Sequence, residues 1–345
     1  MFPCTRRASA LAVLTLVAAC SEASAPPRPS VADGQASMEP DAWLAHVVAG
    51  KPAAQTYSMI VGAGDIARCY PAGNPLDVTP APQTPAEATA KLLDRIPGTV
   101  IAVGDNAYEL GSPTDYATCY DPTWGRHKAR TRPAAGNHEY LTPGAAGYFE
   151  YFGMAAHPET NGYYSYDVAN WHVVVLNSTP QWAECPPLPP HSSAAEGRQC
   201  VGDVPQREWL AADLAAHPSS CTIAYFHHPR FSSGQHSNQY EMQQFWDLLY
   251  ANDVDVVVSG HDHDYERFAP QDPDGNANAV RGIREFVVGT GGAELRPFAT
   301  VIANSEVRIA GTYGVLALAL ADGQYGWAFV DTSGTVRDRG LGACH

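Results

Sequence analysis

A chain of 345 residues, 45% hydrophobic and 17% charged, can bury a large core; its length admits two or three domains, but one large α/β domain with long loops is the expected organisation. The formal net charge of -15 argues against a nucleic-acid partner, because no Lys/Arg excess exists to displace phosphate counterions. An acidic balance does suit metal binding.

Residues 1–19 carry Arg6-Arg7 and then an apolar stretch from Ala8 to Ala19, too short to cross a bilayer and patterned like a signal peptide. Val17-Ala18-Ala19-Cys20 resembles the lipobox of bacterial lipoproteins, which implies export to the cell envelope and membrane attachment only through lipid on Cys20. Cleavage after Ala23-Ser24-Ala25 would leave Pro26 next, a poor context, and the twin arginines lack the rest of a folded-export pattern. Residues 20–40, rich in Ala, Pro and Ser, read as a disordered tether, and 41–345 as a single catalytic domain. Beyond Cys4 and Cys20, an even set of cysteines remains, without any Cys-x-x-Cys. The expected disulfides are Cys185–Cys200, Cys69–Cys119 and Cys221–Cys344, one of about 15 possible pairings.

Within the domain, Asp41 to Val48 reads as a short helix and Tyr57 to Val61 as the first buried strand, running into Gly64-Asp65. Thr84-Pro85-Ala86-Glu87 has the form of a capping box with proline at the first helical position, opening an amphipathic helix. The strand Thr99 to Val103 follows, so strand, helix and strand form a parallel crossover ending in Gly104-Asp105-Asn106-Ala107-Tyr108. After Gly136-Asn137-His138-Glu139, Tyr163–Val168 and Trp171–Leu176 read as a hairpin that starts a second sheet. A Pro-rich loop spans 180–200; Gln206 to Ala216 is helical. The strand Thr222 to Phe226 ends in His227-His228, and a helix from Asn238 to Ala251 leads to the apolar run Val254 to Val258. That run ends in Ser259-Gly260-His261-Asp262-His263, where spacing i, i+2 on extended chain would aim both imidazoles the same way. Strands at Glu285–Val288, Tyr313–Leu320 and Tyr325–Asp331 complete the chain, the last two paired around Asp322-Gly323.

Five strand ends therefore carry Asp65, Asp105 with Tyr108, Asn137 with His138, His227 with His228, and His261 with His263. Each alone has an ordinary reading, since Gly-Asp and Gly-Asn are common turn dipeptides and an isolated His-x-His is usually a surface loop. Turn chemistry does not explain histidines at the same edge of the same sheet. Metal ligation explains the whole set.

These blocks, with Tyr265-Glu266-Arg267 after the last, resemble the calcineurin-like metallophosphoesterases and, within them, the purple acid phosphatases, over about Tyr57 to Arg267. The resemblance implies a four-layer α-β-β-α sandwich of two mixed sheets. It also implies that Asp65, Asp105, Tyr108 and His263 hold one metal while Asp105, Asn137, His227 and His261 hold the other, Asp105 bridging. Ala67 departs from the pattern, standing where most members have His and purple acid phosphatases usually Gly; Tyr108 compensates. The resemblance implies a single-domain form, without the β-sandwich that precedes the catalytic domain in large plant members. His138 and His236, the latter nine residues after His227, are expected to bind phosphate oxygen and protonate the leaving alcohol. His228 is expected to pack or to support its neighbour, and Arg230 and Tyr265 are weaker candidates for lining the pocket.

Two cations about 3.5 to 4 Å apart generate a hydroxide nucleophile and neutralise the oxygens of an in-line displacement at phosphorus. Two carboxylates, a phenolate and a bridging hydroxide favour a trivalent ion beside a divalent one, so Fe(III) is expected on the tyrosine side with Zn(II), Mn(II) or Fe(II) beside it. The expected activity is hydrolysis of small phosphate monoesters outside the cytoplasm. Diester hydrolysis by the same metal pair, and a non-catalytic envelope lipoprotein that binds metal or phosphate, are the alternatives.

Overall fold

The computed structural model describes residues 57–69, 84–179, 204–219 and 221–345. The expected leader, tether, helix from Asp41 and Cys185–Cys200 loop lie outside them.

Thirteen strands among the described residues form two mixed sheets. In the first, β1 (Ser58–Ala63), β2 (Thr99–Val103) and β3 (Thr131–Ala134) run parallel, while β11 (Gly314–Ala321), β12 (Gln324–Asp331) and β13 (Val336–Ala343) extend it antiparallel from β1. In the second, β5 (Trp171–Val175), β6 (Thr222–Tyr225), β7 (Val256–Ser259) and β9 (Arg284–Val288) are parallel. Its antiparallel members are β4 (Tyr164–Val168), β8 (Tyr265–Phe268) and β10 (Ser305–Ile309). The expected hairpin is β4–β5, and it does begin the second sheet.

Alternation along β5 explains the layering. Val173 and Val175 join the large core that also holds β1, β2 and β11, whereas Val174 and Leu176 turn the other way. There they meet Leu210 and Leu214 of one helix (Val204–Ala216) and Phe245, Trp246 and Leu249 of another (Gln243–Ala251). A third helix, α1 (Pro85–Arg95), packs against the first sheet near β11, and α2 (Ala146–Phe152) follows β3; the two above are α3 and α4. Thr84 Oγ1 accepts from Glu87 N at 3.3 Å as the capping pattern requires, while the Glu87 carboxylate takes Arg126 Nη1 at 2.7 Å. No helix among the described residues is long and apolar enough to cross a membrane.

Three expectations need correction. The helix before β7 starts at Gln243, not Asn238: Asn238 Oδ1 accepts from Ser232 N at 3.0 Å and Gln239 N donates to Pro229 O at 3.1 Å, so these residues fold a loop back on itself. Tyr265 lines no pocket, since its ring stacks on Phe329 in the core and its hydroxyl donates to Asp338 Oδ2 at 2.7 Å. Arg230 is buried too, donating through Nε to Gln243 Oε1 at 2.8 Å and tying its loop to α4. Cys69–Cys119 and Cys221–Cys344 are both present as expected.

At the edge of the second sheet, buried His172 on β5 stands between Asp167 Oδ1 of β4, at 3.0 Å, and Asp213 Oδ2 of α3, at 2.9 Å. Burial opposes the imidazolium, but hydrogen bonds to Asp213 and Asp167 outweigh it and hold the His172 pKa above its ordinary value. Burial likewise opposes the Asp213 carboxylate, and the bonds from His172 and Ser165 outweigh it, so that pKa is lowered. The histidine's contribution is therefore full below about pH 6.5 and lost as pH rises through its raised value; the aspartate's is present above about pH 4 and lost as pH falls through its lowered value. His172→Gln should lower the melting temperature by about 3 to 6 °C near pH 5.5, with the gap narrowing toward pH 9. A gap that stays constant across that range would show that His172 acts by packing alone.

Candidate metal centre

The C-terminal ends of β1, β2, β6 and β7 converge, and their loops carry the expected residues. Asp65, Asp105 and His261 all adopt positive φ, of 58°, 48° and 69°, a region in which non-glycine residues occur mainly where surrounding structure imposes it. Gly104, just before Asp105, has φ of 80°, and a Cβ there would lie 2.6 Å from the His227 ring, so the backbone touches the imidazole directly. His261 and His263 do not sit on extended chain as expected. The left-handed turn at His261 sends them apart, His263 toward Asp65 and Tyr108 and His261 toward His227 and His228.

One half of the cluster is anionic. The buried Tyr108 hydroxyl donates to Asp65 Oδ1 at 2.8 Å, and lies 3.1 Å from Asp105 Oδ2 and 3.2 Å from His263 Nε2. Its backbone N–H donates to Ala67 O at 2.9 Å, so the tyrosine rises beside the alanine for which it was expected to compensate. Burial, then Asp105 and Asp65, push the phenol pKa well above its ordinary value; only added positive charge would release that proton. Burial would also raise Asp65, but the imidazoles of His263 and His227 hold it below the usual carboxylate value.

The other half consists of nitrogen donors. His227 Nε2 stands 3.2 Å from Asp105 Oδ2, and His227, His228 and His261 bring ring nitrogens within 4.8 Å of one another. His227 Nδ1 lies 3.0 Å from Val103 O and His263 Nδ1 2.6 Å from Glu294 O; each carbonyl fixes the ring proton on Nδ1 and turns the Nε2 lone pair into the cluster. Burial and the neighbouring imidazoles of His228, His236 and His227 drive the His261 pKa down, which keeps a neutral ligand nitrogen available. Asn137 Oδ1 is buried without a hydrogen-bond partner among the described residues, an arrangement rare in folded proteins unless something else occupies the space. Buried carboxylates, lone pairs aimed inward and an orphaned amide oxygen fit a pair of metal ions.

The two histidines assigned to substrate stand at the rim. His138 N donates to Asp105 Oδ1 at 2.8 Å, its Nδ1 lies 2.6 Å from Glu109 O, and its Nε2 is 3.8 Å from Asp105 Oδ2. His236 stacks on His261 with ring centroids 4.1 Å apart. His228 supports its neighbours, being buried and hydrogen-bonded through Nδ1 to Ser178 Oγ at 2.8 Å.

Sequence reasoning missed the residues that hold these in place. Asp262 accepts from His236 N at 2.9 Å and also takes the Ser232 hydroxyl. Glu294 and Arg296 lie just after Gly289-Thr290-Gly291-Gly292-Ala293 beyond β9, and a glycine-rich strand-end loop was the available signal. Glu139, fully buried, accepts from Asn106 N at 2.8 Å, Gly136 N at 2.7 Å and the Tyr116 hydroxyl at 3.1 Å, joining the loops after β2 and β3. Glu139→Ala strands those donors and should cost about 3 kcal/mol or more by denaturant unfolding. A loss under about 1 kcal/mol would mean that the two loops hold together without it.

Residues 60–265 match the family model for calcineurin-like phosphoesterase. Among curated proteins, purple acid phosphatase 22 of Arabidopsis thaliana is 27% identical over 187 residues, covering 47% of this chain and 39% of that protein. The chain thus spans well under half of that relative. Among solved structures, a purple acid phosphatase from yellow lupin (Lupinus luteus) seeds superposes with a TM-score of 0.59 at 19% identity, over 85% of this chain and 55% of that one. GAP50, the anchor in the inner membrane complex of Plasmodium, superposes with a TM-score of 0.55 at 13% identity, over 84% and 89% of the two chains. Likeness at those identities concerns the fold alone. With two mixed sheets, a cluster of Asp, Asn and His at their shared edge and a family match over most of the domain, the chain belongs to the calcineurin-like phosphoesterases.

Proposed function

We propose that this protein is a metal-dependent phosphomonoesterase of the purple acid phosphatase type, working outside the cytoplasm. The observation that carries the reading is the buried Tyr108 hydroxyl within hydrogen-bonding reach of Asp65, Asp105 and His263. Asp65, Asp105, Tyr108 and His263 would hold one ion, and Asp105, Asn137, His227 and His261 the other. When bound, such a pair supplies Lewis acidity, making water acidic enough to attack phosphorus and offsetting charge on the phosphoryl oxygens. Ferric iron beside a divalent ion suits the charge of the donor set.

The chain's own residues do the rest. Val103 O and Glu294 O keep His227 and His263 in one tautomer, so neither ring has to reorient during a turnover. His138, braced by Glu109 O and tilted against the Tyr108 ring at 4.3 Å between ring centroids, presents Nε2 to a phosphoryl oxygen. The two disulfides suit an oxidising compartment, which supports export; lipid on Cys20 would then be the anchor.

Protein loaded with iron and kept oxidised should absorb visible light through a phenolate-to-iron transition, and Tyr108→Phe should bleach it. Asn137→Ala should lose metal and turnover together, whereas His138→Ala should keep its metal and lose about 10²-fold or more in rate on a monoester. A colourless, fully active enzyme containing only divalent ions would remove the iron assignment. A fully metallated protein inert toward monoesters would remove the activity.

A further inference from the structure

Two arginines stand at the rim of the metal centre, and they are not equivalent. Arg68 is spent: it pairs with both Glu109 and Glu294, lies over the Tyr108 ring at 5.0 Å, and its side chain is 12% exposed. Arg296 is 27% exposed and held differently. Its backbone N–H donates to His263 O at 3.0 Å, so its position follows the loop that carries a ligand. Its Nη1 lies 3.0 Å from His236 Nε2. A guanidinium only donates, so that nitrogen is the acceptor and the His236 proton sits on Nδ1, 3.1 Å from Asp262 Oδ1. Asp262 in turn takes the Ser232 hydroxyl, and His236 is stacked on His261. A fixed line of Asp262, His236 and Arg296 thus holds a cation one imidazole away from the cluster. Arg296 Nη2 approaches Glu294 only at 3.5 Å, and among the described residues its remaining donors meet no partner.

We propose that Arg296 selects the substrate class: it takes the third unesterified oxygen of a phosphate monoester dianion, and His236 is the positioning residue that aims it. The inference rests on the phosphoesterase reading above and narrows it. A monoester offers three terminal oxygens and, above its second pKa of about 6, two negative charges. With the phosphoryl group seated on the Asp65–Asp105–His227 cluster, the oxygen facing Arg296 is anionic in a monoester and carries a second substituent in a diester. A charge-assisted bond forms in the first case, and in the second the guanidinium's remaining donors gain no anionic oxygen.

The test compares p-nitrophenyl phosphate with bis-p-nitrophenyl phosphate on metal-loaded wild type, R296M and H236A, with metal content and inorganic phosphate affinity by calorimetry measured alongside. R296M should lose about 10- to 100-fold in kcat/KM on the monoester, chiefly through KM, and less than about threefold on the diester. It should also bind phosphate more weakly at unchanged metal content. H236A should shift the ester ratio the same way, and the double variant should lose no more than R296M, because the histidine acts through the arginine. R296Q provides the same comparison should the methionine variant fold poorly. An unchanged ester ratio with wild-type phosphate affinity in R296M overturns the role of Arg296 while leaving the phosphoesterase reading intact. A metallated wild type that cleaves neither ester overturns both.

Discussion

Two carboxylates withdrawn from water, each with an oxygen within 3.1 Å of the same phenol hydroxyl, repel each other, and this repulsion is the constraint on which the surrounding structure depends. Asp65 and Asp105 cannot relax away. Each is anchored by backbone donors, Asp65 Oδ2 accepting from His261 N at 2.8 Å and Asp105 Oδ1 from His138 N at 2.8 Å. Each also sits at a positive φ fixed by neighbouring loops, for Asp65 N donates to Gly104 O and Ile66 N to Asp105 O, at 3.0 and 2.9 Å. The fold thus concentrates negative charge and surrounds it with imidazoles whose proton-bearing nitrogens are turned outward. An arrangement of that kind is stable only with positive charge at its centre.

The charge is divided between the sheets. The first sheet supplies Asp65 and Asp105 from the ends of β1 and β2; the second supplies His227, His261 and His263 from the ends of β6 and β7. Buried carboxylates extend the division, with Glu139 binding the loops after β2 and β3 and Asp262 binding the loops after β6 and β7. Polar side chains here work as loop-to-loop connectors. That explains why so many are buried yet paired.

Most of the fold was legible because the parallel strands at its centre are uninterrupted apolar runs: β2 coincides with the expected Thr99 to Val103, and β6, β7 and β9 begin or end within two residues of expectation. The strands not anticipated are those without such a run. In β13, Arg337 and Arg339 flank Asp338, whose carboxylate is buried and accepts from Tyr265, Arg267 and Trp327, so an inward position reads as polar. At the site, the strand-end blocks marked Asp65, Asp105, Tyr108, His227, His261 and His263, which lie together in the structure, but not the bracing roles of Glu139, Asp262, Glu294 and Arg296. They did not reveal backbone conformation. The left-handed turn at His261 depends on Asp65, 196 residues away, accepting its N–H. Arg296 escaped notice for a related reason: the glycine-rich loop before it marks a strand end, but what places the arginine is a carbonyl of the His263 loop.

Far from the metal centre, Cys221 opens β6 of the second sheet and Cys344 follows β13 of the first. Two more ties lie at that end: Trp171 Nε1 donates to Ala321 O and Asn170 Nδ2 to Asp322 Oδ1, both at 2.8 Å. In mechanical terms these are rivets against shear. Between the polar ties at the two ends the sheets meet through apolar side chains, which resist separation but have little directional grip on sliding. A slip of a single residue, about 3.3 Å, is as long as the 3.2 Å separation of His227 Nε2 and Asp105 Oδ2 and would break that contact. The covalent rivet at one end of the sandwich therefore helps to hold the alignment of charges at the other, beside the bonds from His261 N to Asp65 and from His227 to Val103 O that tie the two sheets at the site itself.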